Sequence, residues 1–542
     1  MSDPVSELRS AVLAAALAVR GGGSVEPPIL ERPPKPEFGD YSTNAAMLLA
    51  PGLGEPPRQV ADRVAAELGA RLGDSLRSAQ VAGPGFLNLF MSDAWCARSL
   101  AGILEAGEAY GGGERSAGRR MNVEFVSANP TGPITVAAGR HAAYGDSLCR
   151  ILEFAGNEVD REYYVNDRGT QIERFGASIR ARANGESPPK DGYQGDYVVE
   201  VAERIAGAAG MDSDEAAALG VKIMLEEISA TLERFRVCMD VFASERSLHE
   251  SGAVTAVLER LKHPGHVYPL EGALWLRTTS FKDDKDRVLV RSGGELTYFA
   301  SDIAYHEDKR SRGYDRVIAI WGADHHGYVA RMRAAWEALG GEPEGLELLI
   351  MQLVNLLEGG QRSQMSKRGG EFVSLDDLME DIGVDATRWF LLQRSHDTTL
   401  DLDLDLARRQ NQDNPVYYAQ YAHARIASVL RRAGEQRLGE ALASDVGGSA
   451  EELHHSSRRL VQRLLEFPEE ISDAANRRAP HRLTTYVTEV AQDFSAFYRD
   501  CKVVGAAEEG GDEELRIAMC EATRRVIARS LDLLGVAAPA EM

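Results

Sequence analysis

The spacing of hydrophobic residues changes several times along the chain, and each change predicts a different kind of element. Residues 1–19 and 56–76 carry Leu, Val and Ala at three- and four-residue spacing, which predicts amphipathic helices. Residues 81–90 predict a turn followed by a strand. Together these segments predict a small α+β domain over residues 1–110, and the three glycines at 111–113 predict a linker after it.

From residue 121 onward, short apolar runs alternate with segments of helical periodicity such as 136–154. The β-type runs are residues 122–127, 162–165, 317–321 and 348–353. Buried strands separated by helices are typical of a doubly wound, Rossmann-like α/β domain, which we expect over residues 115–370. Within it, residues 170–290 are rich in helix formers and predict an insertion.

After residue 405 every periodic segment is helical. This predicts an all-α helical bundle over residues 406–542, preceded by a connector over residues 371–405. The expected fold class is therefore α/β, with a Rossmann-like doubly wound domain between an N-terminal α+β domain and a C-terminal all-α bundle.

Composition and charge narrow the range of functions. The 542 residues carry a net charge of −22, so a nucleic-acid partner would have to meet a local basic surface. Arginine pairs do concentrate in the C-terminal part, at 431–432, 458–459, 477–478 and 524–525, although solvated helix faces balanced by glutamates are the commoner explanation of such pairs. Five scattered cysteines and a longest early apolar run of nine residues predict a cytoplasmic protein without disulfides or a membrane span.

One stretch combines a strand, a Gly/Pro turn and a helix start. Residues 123–140 run from an apolar strand through the turn at 128–133 into a segment of small residues. A helix N-terminus of this kind offers unpaired N–H groups and the positive end of the helix dipole to a phosphate. The same pattern occurs in βα turns that bind nothing, so the residues alone leave both a phosphate site and a structural turn open.

Two further motifs suit nucleotide chemistry. Residues 364–370 place Lys367 and Arg368 on a glycine-flanked loop that suits a triphosphate, although an exposed basic turn is the commoner role of such a string. Residues 321–327 follow a parallel strand, at the edge where open α/β sheets bind ligands. The paired histidines there lack a third ligand at suitable spacing, so the sequence predicts no metal site.

The order of these pieces resembles one family closely, the arginyl-tRNA synthetases, which are class I aminoacyl-tRNA synthetases. The resemblance covers nearly the whole chain. It is carried by residues 38–47, 83–86, 124–129, 162–167, 321–326, 365–368 and 413–425, and by the Leu-Gly-Val-Ala-Ala-Pro ending. It implies ATP-dependent activation of L-arginine to arginyl-adenylate, followed by transfer to the 3′ end of tRNA(Arg). It also implies that tRNA binds before activation.

The resemblance implies partners and residue roles as well. ATP would arrive with Mg²⁺ and without a dedicated protein cage, and the expected state is a monomer that binds no membrane. The N-terminal domain would contact the tRNA elbow, and the connector at 371–405 would contact the tRNA stem. The implied arginine-binding residues are Glu124, Ser127, Asn129, Tyr298 and Asp302; the ATP-binding residues are Thr135, Ala137, Ala138, Gly139, Gly322, Asp324, His325, Met365 and Lys367; the catalytic residues are Lys367, Ser366, Thr135 and Arg140; and the tRNA-binding residues are Asn44, Tyr418, Arg425, Arg477 and Arg478.

The first signature motif departs from the family pattern. Class I enzymes carry His-x-Gly-His there, whereas this chain reads Thr-Val-Ala-Ala at residues 135–138. The histidines donate hydrogen bonds to the α-phosphate, and losing one preorganised donor at a developing oxyanion costs about 10²–10³ in rate. Gly132 also stands where some members carry a lysine that supports a poor signature loop.

Two outcomes stay open at this point. In the first, activity is retained because Thr135, together with Arg140 and His141, serves the phosphate. In the second, the chain binds tRNA or arginine and performs no chemistry. The first is favoured because the implied pocket and loop residues remain: Glu124, Asn129, Tyr298, Asp302 and Lys367. A third hypothesis, another class I specificity, conflicts with an acidic pocket that suits a guanidinium.

Overall fold

The N-terminal domain packs helices against a small antiparallel sheet. The computed structural model describes residues 3–113, 118–262, 265–362, 373–449 and 452–542. The elements of this first domain are α1 Pro4–Arg20, β1 Leu30–Glu31, β2 Tyr41–Thr43, α2 Ala45–Leu53, α3 Pro57–Leu72, β3 Leu76–Ala82, β4 Phe86–Met91 and α4 Asp93–Ala106. The strands lie in the order β1-β2-β4-β3, which confirms the α+β prediction.

Local sequence explains where the first helix begins and ends. The carboxylate of Asp3 accepts a hydrogen bond from the N–H of Val5, and Pro4 occupies the first turn, where no N–H is needed. Gly21 ends the helix in the left-handed conformation, with φ of 76°.

The middle of the chain alternates strands and helices. Its elements are β5 Arg120–Glu124, α5 Val136–Phe154, β6 Glu158–Val165, α6 Thr170–Ala183, α7 Tyr197–Arg204, α8 Ser213–Arg234, β7 Val241–Ser244, α9 Glu245–Glu250, α10 Ala253–Lys262, β8 Val267–Leu270, β9 Ala273–Leu276, β10 Arg287–Val290, α11 Tyr298–Ser311, β11 Arg316–Gly322, α12 Val329–Ala338 and β12 Leu346–Met351. Within the described ranges, five of these strands form a parallel sheet in the order β12-β11-β5-β6-β7. The Rossmann-like prediction is confirmed.

The stretch predicted as an insertion, residues 170–290, is more varied than its composition suggested. It begins with α6 to α8 and ends with a separate antiparallel sheet, β10-β9-β8. Between them, β7 joins the edge of the main sheet, where Val241 pairs with Glu162 of β6. The residues Val241–Ser244 show no alternation of apolar and polar positions and lie within a segment rich in helix formers, so the sequence analysis did not predict this strand.

Helix α5 lies against the sheet because one residue lacks a side chain. A Cβ placed on Gly145 would lie 2.1 Å from the ring of Phe125, just after β5. Any larger residue would push the helix away from the strand. This close approach holds the N-terminus of α5 at the carboxyl edge of the sheet.

The last part of the chain is helical after a short mixed segment. Its elements are β13 Val354–Glu358, β14 Gln361–Arg362, α13 Leu375–Leu392, β15 Leu400–Asp403, α14 Leu404–Ala407, α15 Pro415–Ala433, α16 Glu435–Ala443, α17 His455–Leu464, α18 Phe467–Asn476, α19 His481–Asp500 and α20 Glu513–Leu533. The helical-bundle prediction is confirmed. No helix among the described residues is both long and apolar enough to cross a membrane.

Buried arginines join the bundle to the rest of the molecule. Arg388 of α13 is fully buried, donates to the carbonyl of Leu534 at 2.8 Å and pairs with Asp146 of α5 at 2.6 Å. Arg458 of α17 pairs with Asp40 and Asp93 of the first domain, each at 2.6 Å. The bundle therefore contacts both the N-terminal domain and the helix that opens the candidate site.

Candidate active site

The chain turns sharply after β5, and side chains fasten this turn to β6. Val126 and Ser127 have φ of 68° and 41°, a region that a β-branched residue rarely adopts. The Ser127 hydroxyl accepts from the backbone N–H of Tyr164 at 3.1 Å. Beyond it, the side-chain amides of Asn129 and Asn166 lie 3.2 Å apart. Two of the predicted arginine-binding residues thus sit at the carboxyl edge of the sheet.

Glu124, the last residue of β5, is already paired inside the protein. One carboxylate oxygen lies 2.6 Å from the ammonium of Lys309, which is completely buried and also lies over the ring of Tyr305 at 4.2 Å. The other oxygen accepts from the Ser127 hydroxyl at 3.0 Å. In this arrangement Glu124 lies at the base of the candidate site, and Lys309 neutralises the charge of its carboxylate.

Asp302 lies on α11 with a desolvated carboxylate. Its Oδ2 accepts from the Tyr328 hydroxyl at 2.6 Å. Burial raises the pKa of Asp302 to about 6, and the nearby charge of Glu124 adds to the increase. Tyr298, one turn earlier on α11, is 68% exposed, and its hydroxyl would lie 3.7 Å from a Cβ placed on Gly169. The tyrosine therefore stands at the mouth of the site rather than in its depth.

Glu245 lies among the acidic groups of the candidate site, and the sequence analysis did not single it out. It is the first residue of α9, and the hydroxyl of Ser244 caps that helix. Burial raises the pKa of Glu245 to about 7, with further increases from Asp302 and Asp167 and a decrease from Arg168. A glutamate after a four-residue strand carries no motif, so nothing in the sequence singled it out.

Tyr164 of β6 lies in the middle of the acidic groups. Burial raises the pKa of its phenol, and four carboxylates raise it further: Glu245, Asp302, Glu124 and Asp167. Of these, Glu124 is paired with a cation, Lys309, and Asp167 accepts two hydrogen bonds at the start of α9, at 2.6 and 2.9 Å. The pKa values of Asp302 and Glu245 are raised toward neutrality. A cation bound beside Tyr164 would stabilise the ionised form of both carboxylates and lower both pKa values.

Two backbone N–H groups at the N-terminus of α5 already donate hydrogen bonds within the protein. The Thr135 hydroxyl oxygen accepts from the N–H of Ala138 at 3.3 Å, so Thr135 caps the helix while its hydroxyl hydrogen stays available for donation. The N–H of Val136 donates to the carbonyl of Val373 at 3.1 Å. Ala137 is exposed beside them. This edge therefore has a hydroxyl where the family pattern has an imidazole.

The next two residues of α5 face the protein interior. A Cβ on Gly139 would lie 2.6 Å from a methyl group of Leu375, so this glycine serves helix packing. Arg140 is almost fully buried, and burial lowers its pKa to about 10. Its guanidinium donates at 2.8 to 3.4 Å to the carbonyls of Gln352, Leu353, Ser395 and Thr398. Arg140 would have to give up these bonds to reach a phosphate, so the structure speaks against its predicted catalytic contact.

The carboxyl end of β11 supplies the remaining described residues of the nucleotide prediction. Gly322 ends the strand, and a Cβ there would lie 2.7 Å from the Asp324 carboxylate. Asp324 and His325 are exposed, and the Nδ1 atom of His325 lies 3.1 Å from Oδ1 of Asp324. The predicted loop residues Met365, Ser366 and Lys367 lie outside the described residues.

The predicted tRNA-binding residues divide into exposed and internal groups. Arg425 is exposed and lies over the ring of Tyr498 at 4.5 Å, and Arg477 is 67% exposed. Tyr418 is partly buried, with its hydroxyl 3.2 Å from that of Ser495.

Two of the predicted tRNA-binding side chains, Arg478 and Asn44, make hydrogen bonds inside the protein. Arg478 is buried and makes two hydrogen bonds to the carboxylate of Glu347 on β12, at 2.8 and 2.7 Å. Its side chain does not reach the surface, because the bundle packs against the sheet at this point. The side-chain oxygen Oδ1 of Asn44 accepts from the N–H of Ile29 at 2.9 Å, which fixes the loop before β1.

Three family profiles match successive parts of the chain. The arginyl tRNA synthetase N terminal domain matches residues 6–91, the class I (R) tRNA synthetase catalytic domain matches 208–426, and the DALR anticodon binding domain matches 419–542. The catalytic match begins after Thr135, so the altered first motif falls outside it. With the parallel sheet described above, these matches define a class I aminoacyl-tRNA synthetase fold.

Full-length relatives narrow the class to one family. The chain is 48% identical to an arginine–tRNA ligase of Frankia alni over 95% of this chain and 94% of that protein. It is 44% identical to an arginine–tRNA ligase of Bacillus subtilis over 99% and 98% of the two chains. The chain belongs to the arginyl-tRNA synthetase family. The Thermus thermophilus arginyl-tRNA synthetase shares its fold, with a TM-score of 0.77, 24% identity and coverage of 99% of this chain and all of that one.

Proposed function

We propose that this protein ligates L-arginine to tRNA(Arg) in two steps. A carboxylate oxygen of arginine attacks the α-phosphorus of ATP, forming arginyl-adenylate and releasing pyrophosphate. A ribose hydroxyl of the terminal adenosine of tRNA then attacks the activated carbonyl, and AMP leaves. Membership of the arginyl-tRNA synthetase family supports this proposal along the whole length of the chain.

The observation that carries the substrate assignment is the pair of carboxylates at Asp302 and Glu245. Both lie near Tyr164, and both have pKa values raised by burial. A guanidinium placed between them would restore their ionised forms and accept the planar, five-donor geometry that arginine offers. A neutral side chain would leave these two desolvated acids without a cation to balance their charge.

We infer the following roles for the rest of the site. Tyr298 closes the mouth of the arginine pocket, and the Thr135 hydroxyl donates toward the α-phosphate. Gly322, Asp324 and His325 line the adenosine. Lys367 neutralises charge on the departing pyrophosphate, and ATP brings its Mg²⁺ with it.

Charging assays with a panel of amino acids test the assignment. We expect labelled arginine to be transferred to tRNA(Arg), and we expect lysine, glutamine and methionine to remain at background. Lysine is the sharpest competitor because it carries the same charge without the planar fork. Transfer of another amino acid would point to a different specificity, and no transfer at all would favour a protein that binds tRNA or arginine without chemistry.

A further inference from the structure

A fully buried lysine lies behind the arginine end of the candidate site. Lys309 is on α11, and its ammonium lies 2.6 Å from a carboxylate oxygen of Glu124 and 4.2 Å from the centre of the Tyr305 ring. Its side chain is completely buried. Replacing a buried ion pair by apolar residues of similar size is often neutral or stabilising, so folding alone does not account for a lysine at this position.

Glu124 connects this lysine to the turn that follows β5. Its second carboxylate oxygen accepts from the Ser127 hydroxyl at 3.0 Å, and the same hydroxyl oxygen accepts from the N–H of Tyr164 at 3.1 Å. Ser127 has φ of 41°, a conformation that a residue other than glycine keeps only when its surroundings fix it. The contacts therefore run without a break from the buried lysine to the strained turn, and the turn leads directly to Asn129.

The neighbouring buried glutamate has a cation of its own. Glu162 of β6 pairs with Arg312 at 2.8 Å and accepts from the side-chain amide of Asn122 at 2.7 Å. Burial acts to raise the pKa of Glu162, but Lys309 and Arg312 hold it below its usual value. The short contact of Lys309 is with Glu124, so the lysine acts most directly on the strand that carries the turn.

The same helix carries an acid of the proposed arginine pocket. Asp302 and Lys309 are seven residues apart on α11, which is close to two full turns and ~10 Å at 1.5 Å per residue. The two side chains therefore lie on one face of the helix. In this way α11 supplies Asp302 to the pocket and, through Lys309 and Glu124, holds the turn that bears Ser127 and Asn129.

We propose that Lys309 is a positioning residue for arginine binding, and that it acts through Glu124 on the turn that carries Ser127 and Asn129. The inference rests on the proposed function, because it assumes that this pocket holds the substrate arginine. Lys309 itself touches no substrate. Its loss would let the strained turn relax and would weaken arginine binding, whereas the nucleotide end on α5 would keep its geometry.

A double-mutant cycle on Lys309 and Glu124, measured as the arginine affinity of the full-length protein, tests the proposal. We expect Lys309→Met to weaken arginine binding about tenfold and to leave the affinity for ATP unchanged. In charging assays the change should appear in KM for arginine more than in kcat. Because Lys309 acts through Glu124, adding Lys309→Met to Glu124→Gln should cause no further loss of arginine affinity.

Stability is measured beside affinity, because removing one partner of a buried ion pair destabilises a protein. Lys309→Gln keeps an N–H donor for Glu124 and is the milder second variant, and we expect it to bind arginine about threefold more weakly than the parent. Arg458→Met is the control, since Arg458 pairs with Asp40 and Asp93 between the first domain and the bundle, each at 2.6 Å. It should lower the thermal midpoint and leave the arginine affinity unchanged.

Three results would overturn the proposal. The first is folded Lys309→Met or Lys309→Gln protein that binds arginine as tightly as the parent. The second is a further loss of arginine affinity when Lys309→Met is added to Glu124→Gln, because Lys309 would then act independently of Glu124. The third is equal weakening by Arg458→Met. A parent protein that binds no arginine would instead reject the proposed function, and this inference with it.

Discussion

The arginine end and the nucleotide end of the proposed site differ in how many of the expected ligand-binding groups each one keeps. At the arginine end, the carboxylates of Asp302 and Glu245 lie near Tyr164 and near the ion pair of Glu124 with Lys309. At the nucleotide end, the first turn of α5 presents one hydroxyl, and two of its N–H groups donate within the protein. The first end keeps the residues that the family resemblance implies for arginine, whereas the second departs from the family pattern at three of four motif positions.

This difference separates recognition from chemistry. A guanidinium is recognised by carboxylates in its ground state, so the acidic end determines which amino acid binds. Donors around the α-phosphate act chiefly as charge develops, so the α5 end determines how fast activation proceeds. The chain is therefore expected to bind arginine as its family does and to activate it with a different set of donors.

The largest effect is expected from removing one of the two acids. Asp302→Asn leaves Glu245 without its companion and the guanidinium half-paired, which should weaken arginine binding by ~4 kcal/mol, or about 10³-fold. Asp308→Asn, on the exposed side of the same helix, is the control and should bind arginine normally. Calorimetry with arginine measures both, and equal affinities would remove Asp302 from the pocket.

The next effect tests the nucleotide end. Thr135→Ala removes a hydroxyl donor and a helix cap, and we expect kcat for activation to fall about 10²-fold with little change in KM for arginine. Thr135→Ser keeps both functions and should retain most of the activity. If the alanine and serine variants have the same kcat, the Thr135 hydroxyl has no part in the reaction.

A smaller effect follows from the raised pKa values in the arginine pocket. As the pH falls through about 7 and then about 6, Glu245 and Asp302 take up protons and lose their attraction for a cation. Arginine affinity should therefore fall about tenfold between pH 8 and pH 6, and Glu245→Gln should flatten the profile. A pH-independent affinity of the parent would contradict the assignment of these carboxylates.

The same shifts have a consequence for the ligand-free protein. Glu245 has its pKa raised from 4.5 to about 7, so the unfolded chain releases this proton at a lower pH than the folded chain does. The contribution to stability is then lost as the pH rises from about 4.5 to 7. Chemical denaturation of the parent and of Glu245→Gln should differ in this window and converge below it.

The smallest expected effect concerns RNA contact. Neutralising the exposed Arg425 or Arg477 should lower the slope of log affinity for tRNA against log salt by about one each. Arg478→Ala, beside Arg477 in sequence but paired with Glu347, should instead lower stability and leave that slope unchanged. The reverse pattern would place the RNA on the other side of the bundle.

Much of the fold follows from periodicity. Three elements are recognisable from their apolar patterns, and each lies close to its predicted position: the strands predicted at 122–127 and 317–321 and the helix predicted at 136–154. Strand β7 could not be predicted from its own four residues, because it is a strand only through its hydrogen bonds to β6.

The candidate site residues also fall into two groups, those recognisable from local sequence and those defined only by contacts between distant segments. Asp302 and Thr135 stand in recognisable strings, and both reach the sheet edge. Glu245 and Lys309 depend on contacts between distant segments, which no local pattern records. Arg140 and Arg478 look like free cations in the sequence, and only packing reveals that their guanidinium groups are bonded inside the protein.

The central claim is that a prepared arginine pocket still works with an altered nucleotide end. Pyrophosphate exchange into ATP, measured with arginine and tRNA(Arg) present, tests it most directly. The account predicts exchange that requires both arginine and tRNA and disappears in Asp302→Asn. Exchange no higher than that of the Asp302→Asn variant, in a protein that still binds arginine, would contradict it.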